Sequence, residues 1–240
     1  MQHRRLLFLA GGISGLILVW HFCKGRRHIK LAKTAPFSKE SAKPRKTRLR
    51  NMVSYFGFKE AQNDTALVHR SINLAVDAIV GLQASNQVDS ENVAAAFDLL
   101  SNIVCYPESL AFFSPSFVKV TTIFWDNSNN LENQVVLAGL KFYSNVTLNE
   151  EFLGKVATSC VIPCVELVEN SSDPELRLSA LKVLVNVSSY TKCNSFIQEA
   201  LSVQGIDLSR WSLRAVNHGQ HEEIEKLNYL ENNLKMTIFA

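Results

Sequence analysis

From Asn63 onward, apolar residues recur at steps of three and four, which is the spacing of one face of an α-helix. Asn63 or Asp64 can cap the first such helix, Asp89-Ser90 opens the next before a stop at Pro107, and Asp173-Pro174 is the clearest helix start. The sequence contains no alternating runs joined by a hairpin turn, so the pattern predicts an all-α fold. The apolar stripes of the first two helices are Leu67, Ser71, Leu74, Ala75, Ala78, Ile79 and Leu82, then Val93, Ala96, Phe97, Leu100, Ile103 and Val104.

Three helical segments share a motif in which a small residue stands six positions before an asparagine. The segments are Ala96–Asn102, Gly139–Asn145 and Ala180–Asn186, and their asparagines lie 43 and 41 residues apart. A period in the low forties is typical of stacked helical repeats. We expect residues 108–126 and 149–169 to supply the shorter first and second helices of two repeats, with a turn at Ser114-Pro115-Ser116.

The asparagines of this motif, Asn102, Asn145 and Asn186, lie toward the ends of their helices. A buried amide without a hydrogen bond costs about 1–3 kcal/mol, and an amide offers both a donor and an acceptor. We therefore expect these side chains to bridge adjacent helices. The alternative interpretation is that exposed members of the row hold the backbone of an extended peptide.

Two of these segments, Leu137–Thr147 and Leu178–Ser188, resemble the third helices of armadillo repeats. The whole chain is similar to the membrane-anchored armadillo-like proteins of animals, including the X-linked armadillo family, and the repeat likeness covers about residues 61–205. The resemblance implies a helical solenoid of about four repeats. It also implies a location mostly on the mitochondrial outer membrane and a role as an adaptor in organelle positioning.

One position departs from the nuclear-import branch of the armadillo fold, which has Trp four residues before the asparagine. This chain has Asp98, Lys141 and Lys182 there. Recognition of basic import signals is therefore not expected.

Residues 6–22 contain no acid, Lys or Arg and have basic residues on both sides. At about 1.5 Å per residue they reach roughly 26 Å, slightly less than the ~30 Å hydrocarbon core. We interpret residues 1–23 as an uncleaved single-span anchor. A cleaved signal peptide and a core helix are the alternatives; the signal peptide is disfavoured because Trp20-His21-Phe22 stand where small residues are needed.

The flank after this segment is the more basic one, which predicts that residues 24–240 lie in the cytosol. The membrane that we expect to hold the anchor is the mitochondrial outer membrane first and the endoplasmic reticulum second. Gly11 and Gly15 form a GxxxG pair that predicts close approach of two anchor helices and hence a homo-oligomer. Cys23 is a candidate acylation site at the cytosolic edge, the alternative being a cysteine that merely ends the span.

Residues 24–60 read as a basic disordered tether. Residues 24–50 hold eleven Lys/Arg against Glu40 alone, a net charge of +10, whereas residues 51–240 carry −9. Each basic group near anionic lipid contributes on the order of 1 kcal/mol, so we expect the arm to lie on the membrane. Lys43–Arg50 also looks like a nuclear-import or nucleic-acid patch, but interleaved aromatic residues are missing, and no nucleic-acid partner is predicted.

The sequence offers no catalytic motif and no Gly-rich phosphate loop. Cys160 and Cys164 are separated by three residues without a nearby histidine, which gives neither a zinc ligand set nor a redox CxxC. We expect no enzymatic activity, no metal and no cofactor, and five reduced cysteines in a cytosolic body.

The predicted organisation is an anchor at 1–23, the tether at 24–60, armadillo-like repeats at 61–205 and a capping helix with a tail at 206–240. In that last part Ile224, Leu227, Leu230 and Leu234 form one stripe, and Glu222, Glu223, Glu225 and Glu231 lie elsewhere. The predicted function is a scaffold that binds a protein partner. The alternatives are a self-associating membrane tether and a secreted or lumenal helical protein.

Overall fold

The computed structural model describes residues 64–83 and 89–238, which contain nine α-helices and no β-strand. The all-α prediction is confirmed for these residues. The predicted anchor and tether, with Gly11, Gly15 and Cys23, lie outside them. The helices are α1 (Thr65–Val80), α2 (Ser90–Ile103), α3 (Pro107–Asn127), α4 (Asn133–Val146), α5 (Glu150–Asn170), α6 (Pro174–Ser188), α7 (Asn194–Val203), α8 (Leu208–Asn217) and α9 (His221–Ile238).

Three helices begin at the aspartates that the sequence identifies as caps. The Asp64 carboxylate accepts a hydrogen bond from the Leu67 amide at 2.9 Å, and that of Asp89 accepts one from the Asn92 amide at 3.2 Å. Asp173 accepts from the Glu175 amide at 2.9 Å, with Pro174 at the first helical position. Each carboxylate satisfies an amide that has no partner within its helix, which is why the helices start where predicted.

The predicted turn at Ser114-Pro115-Ser116 is wrong, because α3 continues through Pro115 as one helix. Likewise α5 is one helix through Pro163 rather than two shorter ones. A proline inside a helix costs about 3 kcal/mol. Packing on both sides offsets this cost in α3, where Phe113 and Phe117 are fully buried with ring centroids 6.0 Å apart.

The helices form two layers. In one, which we call the inner row, α2, α4, α6 and α9 lie side by side in that order. In the other, α1 packs against α3, α3 against α5 and α5 against α7, while α8 packs against α9. The Phe97 ring lies 4.9 Å from that of Phe124 and 5.9 Å from that of Phe142, so aromatic side chains from both layers build the core.

The C-terminal part differs from the expectation of one capping helix, since α8 precedes α9. Trp211 and Ala215, which are four residues apart, are its buried residues. In α9 the predicted stripe residues Leu227, Leu230 and Leu234 are buried. This stripe packs α9 onto the end of the inner row.

One helix in the described ranges is long and apolar enough to cross a membrane. It spans Thr65–Gln83, that is α1 and the short turn after it, with a mean hydropathy of 1.2. Half of its most apolar window is buried. A helix in the core of a folded protein can be equally long, apolar and buried, so this helix is weak evidence for a membrane span.

Candidate partner-binding surface

The asparagines of the repeated motif lie at the ends of neighbouring helices of the inner row. The Asn145 Nδ2 on α4 donates to the Ser101 carbonyl at 3.1 Å and to Ser101 Oγ at 2.7 Å. The last carbonyls of a helix have no partner within it, and Ser101 stands three residues from the first residue beyond α2. The Asn145 amide therefore ties α4 to the open end of α2.

The next asparagine repeats this arrangement one helix further on. Asn186 Nδ2 on α6 donates to the Ser144 carbonyl at 3.1 Å, to Ser144 Oγ at 3.2 Å and to Thr147 Oγ1 at 3.0 Å. Both asparagines are half-buried, as is Asn102 at the end of α2. Together Asn102, Asn145 and Asn186 form what we call the asparagine row.

The series continues into α9 through a residue that sequence reasoning missed. Asn233 Nδ2 donates to Ser188 Oγ at 2.9 Å, and Asn194 Nδ2 donates to the Asn233 carbonyl at 3.1 Å. Leu227, not a small residue, stands six positions before Asn233. The repeated motif is therefore incomplete in α9. The only part of it that the sequence shows there is the asparagine, Asn233.

Charged side chains lie one helical turn before each asparagine, and their charges are paired across the row. Lys141 Nζ is 2.8 Å from Asp98 Oδ1, and Lys182 Nζ is 2.9 Å from Glu222 Oε1. All four side chains are partly exposed, so each pair contributes about 0–1 kcal/mol to stability. The surface beside the asparagine row therefore carries paired charges of both signs rather than one sign.

A buried ion pair holds α9 against α6. Arg177 and Glu223 are 5% and 2% exposed, and they make two hydrogen bonds, Nε to Oε1 at 3.0 Å and Nη2 to Oε2 at 3.2 Å. Arg177 Nη1 also donates to the carbonyls of Ser171 and Ser172. Glu223, which the sequence analysis lists apart from the apolar stripe of α9, is nevertheless buried, because an arginine 46 residues away pairs with it inside the protein.

A second polar cluster joins α8 to the C-terminus of α5. The Glu169 carboxylate accepts a hydrogen bond from Trp211 Nε1 at 2.6 Å and pairs with Arg210. Arg214 donates to the carbonyls of Glu169 and Val168, which are exposed at the end of α5. These contacts are structural links between the last helices and the body.

The thiols of Cys160 and Cys164 are buried and have raised pKa values, whereas a reactive cysteine has a lowered pKa. Burial raises the pKa of Cys160 to about 12, and burial together with the Cys160 thiol raises the pKa of Cys164. Trp125 Nε1 lies 3.4 Å from Cys160 Sγ, and burial also raises the pKa of Tyr143. Both thiols are held protonated, whereas nucleophiles and metal ligands are thiolates.

In residues 64–83 and 89–238 no group of three or more His, Cys, Asp or Glu side chains is placed to hold a metal ion.

No family model matches the chain, and no curated protein is similar to it. Among solved structures, the chain is similar to the crystal structure of an engineered protein, with a TM-score of 0.59. The two share 14% sequence identity over 82% of this chain and 94% of the other. The protein thus belongs to the all-α class and shares its helical fold with an engineered protein, and the armadillo resemblance stays a prediction.

Proposed function

We propose that this protein is a non-enzymatic, single-pass membrane scaffold whose cytosolic body is an armadillo-like repeat solenoid that binds a protein partner. The observation that carries the proposal is the asparagine row. Its amides Asn145 and Asn186 join consecutive inner helices about one period apart. A surface built from equivalent positions of successive repeats suits an extended segment, because such a segment also presents its groups at regular intervals.

The chemistry of this surface supports a partner recognised by hydrogen bonding and shape. The Nδ2 atoms of Asn145 and Asn186 donate within the protein, and the Oδ1 atoms of these half-buried residues are the acceptors that a partner's backbone amide would use. The neighbouring charges are already paired, as for Asp98 with Lys141. A strongly basic or acidic ligand would gain little here.

The location follows from the sequence of the first fifty residues. The apolar segment 6–22 with its basic flanks supports an anchor in the mitochondrial outer membrane, with the endoplasmic reticulum second. A body held at that surface by the basic arm would act in the positioning or organisation of the organelle.

The first experiment is protease protection on fractionated mitochondria and microsomes from cells that express the full chain with a C-terminal tag. We expect the tag to be lost from intact mitochondria while the undigested chain keeps its full-length mass. A protected, shortened or glycosylated chain would support the secreted or lumenal alternative instead.

The second experiment tests the surface by proximity labelling with variants that keep the fold. Exchanging the charges, Asp98→Lys with Lys141→Asp, keeps an ion pair but changes what a partner meets. We expect the labelled neighbours to change in this variant and not in Asn228→Ala, which alters an exposed asparagine of α9. Unchanged neighbours together with intact membrane clustering would favour the self-associating tether, in which Gly11, Gly15 and the basic arm act.

A further inference from the structure

The second layer carries an exposed aliphatic side chain on each of three successive helices. These residues are Val118 on α3, Ile162 on α5 and Val203 on α7, and they expose 63%, 54% and 78% of their surface. They lie 44 and 41 residues apart, close to the spacings of 43 and 41 in the asparagine row. A single exposed aliphatic residue is ordinary, but three at equivalent positions of successive repeats form an apolar patch. We call these three residues the aliphatic row.

The three helices run side by side in the same direction, which brings the aliphatic row together. Near the helix starts, Lys155 Nζ of α5 is 3.1 Å from Ser114 Oγ of α3. Near the helix ends, Gln204 Nε2, one residue beyond α7, donates to Glu166 Oε1 of α5 at 3.3 Å. Neighbouring helices pack about 8–10 Å apart, so the row extends over about 16–20 Å. It lies on a different layer from the asparagine row and is therefore a second surface, separate from the proposed partner site.

The charged residues beside the aliphatic row differ in sign between its two ends. Lys119 follows Val118 on α3, and Glu199 lies one turn before Val203 on α7. Both charged side chains are exposed, and within the described ranges neither makes an ion pair. The row therefore has a cation at one end and an anion at the other, which is the pattern of a surface that can pair with itself.

We propose that this face binds a second copy of the chain through a two-fold contact centred on Ile162. A two-fold axis that runs parallel to the helices lays α5 on its counterpart and α3 on the α7 of the other copy. Val118 then meets the partner's Val203, and Lys119 comes within reach of the partner's Glu199. An axis across the helices would instead set Lys119 against the partner's Lys119. Because like charges in contact are unfavourable, the charges select the first arrangement.

The size of the face and one further charge make this contact weak. Three helices, each about 10 Å wide, and the 10 residues of α7, about 15 Å long, give a face of about 450 Å². A standard interface buries about 800 Å² on each partner. Glu166 lies one turn after Ile162 and approaches its own counterpart across the axis, where Gln204 binds it. We therefore expect a dimer whose population rises with protein concentration.

Disulfide trapping tests the two-fold contact on the full-length chain in detergent, in a background with Cys23→Ser and Cys105→Ser. We expect Ile162→Cys to form a covalent dimer under mild oxidation. Only a residue near the axis lies within about 7 Å, measured between Cα atoms, of its own counterpart, which is the limit for a disulfide. The matched control is Tyr229→Cys on α9, whose side chain is 52% exposed and lies outside the row. A chain that stays monomeric, or equal crosslinking in the control, would overturn the proposal.

Charge reversal tests how the two copies are oriented. Lys119→Glu and Glu199→Lys should each slow the crosslinking of the Ile162→Cys chain by about threefold or more, because each brings like charges together at both ends of the contact. The two changes combined restore opposite charges and should return the rate to its original value. Both residues are exposed, so the variants keep the fold. Single reversals without effect, or a double reversal without recovery, would refute the proposal.

Discussion

Replacing Gly139 by alanine tests the packing between the two layers. A Cβ at this position would lie 2.4 Å from Phe124 Cζ and 2.5 Å from Cε2, whereas carbon atoms pack at about 3.5–4.0 Å. The Phe124 ring has little room to move, since it is fully buried and its centroid lies 4.9 Å from that of Phe97 and 4.7 Å from that of Trp125. The methyl group must therefore displace a ring that other rings hold in place.

The size of the effect follows from two opposing contributions. Overpacking costs about 1–3 kcal/mol, and alanine regains about 1 kcal/mol of helix propensity over glycine. Because the overlap is about 1 Å, we take the upper part of the overpacking range and expect a net loss of about 1–2 kcal/mol. For a chain of this length that lowers Tm by about 2–8 °C.

The assay is thermal unfolding of the full-length chain in detergent, followed by far-ultraviolet circular dichroism, with Gly154→Ala as the matched control. Gly154 lies inside α5, and a Cβ there meets nothing within 4 Å. This control should gain about 0.5–1 kcal/mol of stability. Adding Phe124→Leu to Gly139→Ala should recover part of the lost stability, as expected for two residues in contact. If Gly139→Ala is as stable as Gly154→Ala, the close packing of Phe124 against α4 is refuted.

Three further predictions concern charge, thiols and capping. Arg177→Met leaves Glu223 buried without its partner and should lower the free energy of unfolding in urea by about 3–5 kcal/mol. The double variant, Arg177→Met with Glu223→Leu, should lose clearly less stability. Equal losses in the two variants would contradict a pair-specific effect. A thiol reagent at pH 8 should modify the exposed Cys105 well before Cys160, because the pKa of about 12 keeps Cys160 protonated at that pH. Equal modification rates, followed by mass spectrometry, would argue against the burial of Cys160. Asp173→Ala removes the cap of α6 and should lower the free energy of unfolding by about 0.5–2 kcal/mol, whereas Asp126→Ala, an exposed acid near the end of α3, should change it by less than about 0.5 kcal/mol.

Features that depend on local chemistry could be read from the sequence. Asp64, Asp89 and Asp173 cap helices because their carboxylates reach amides two or three residues ahead, a relation that needs no knowledge of the fold. The apolar stripes of α1 and α2 are buried as predicted, apart from the half-buried Leu74. Both features follow from helical spacing alone.

Features that depend on distant residues could not be read in this way. Pro115 and Pro163 predict breaks by their local chemistry, yet buried neighbours on both sides keep α3 and α5 continuous. The pairing of Glu223 with Arg177 spans 46 residues, so no local pattern distinguishes Glu223 from the exposed acid Glu222. The part of the surface that sequence reasoning missed, Asn233, likewise became visible only through its contact with Ser188.

The repeated motif specifies packing in two directions at once, which explains why it survives in three helices while the residues around it differ. Its small member lets the second layer approach, as Phe124 does at Gly139. Its asparagine, seen at Asn145, joins the next helix of the inner row to the one before it. The position four residues before each asparagine is under neither constraint, and there the chain has one acid and two lysines. Packing therefore accounts for the motif. The charge exchange between Asp98 and Lys141 leaves the small residue and the asparagine of the motif unchanged, so it alters the surface beside the asparagine row without altering the packing that the motif provides.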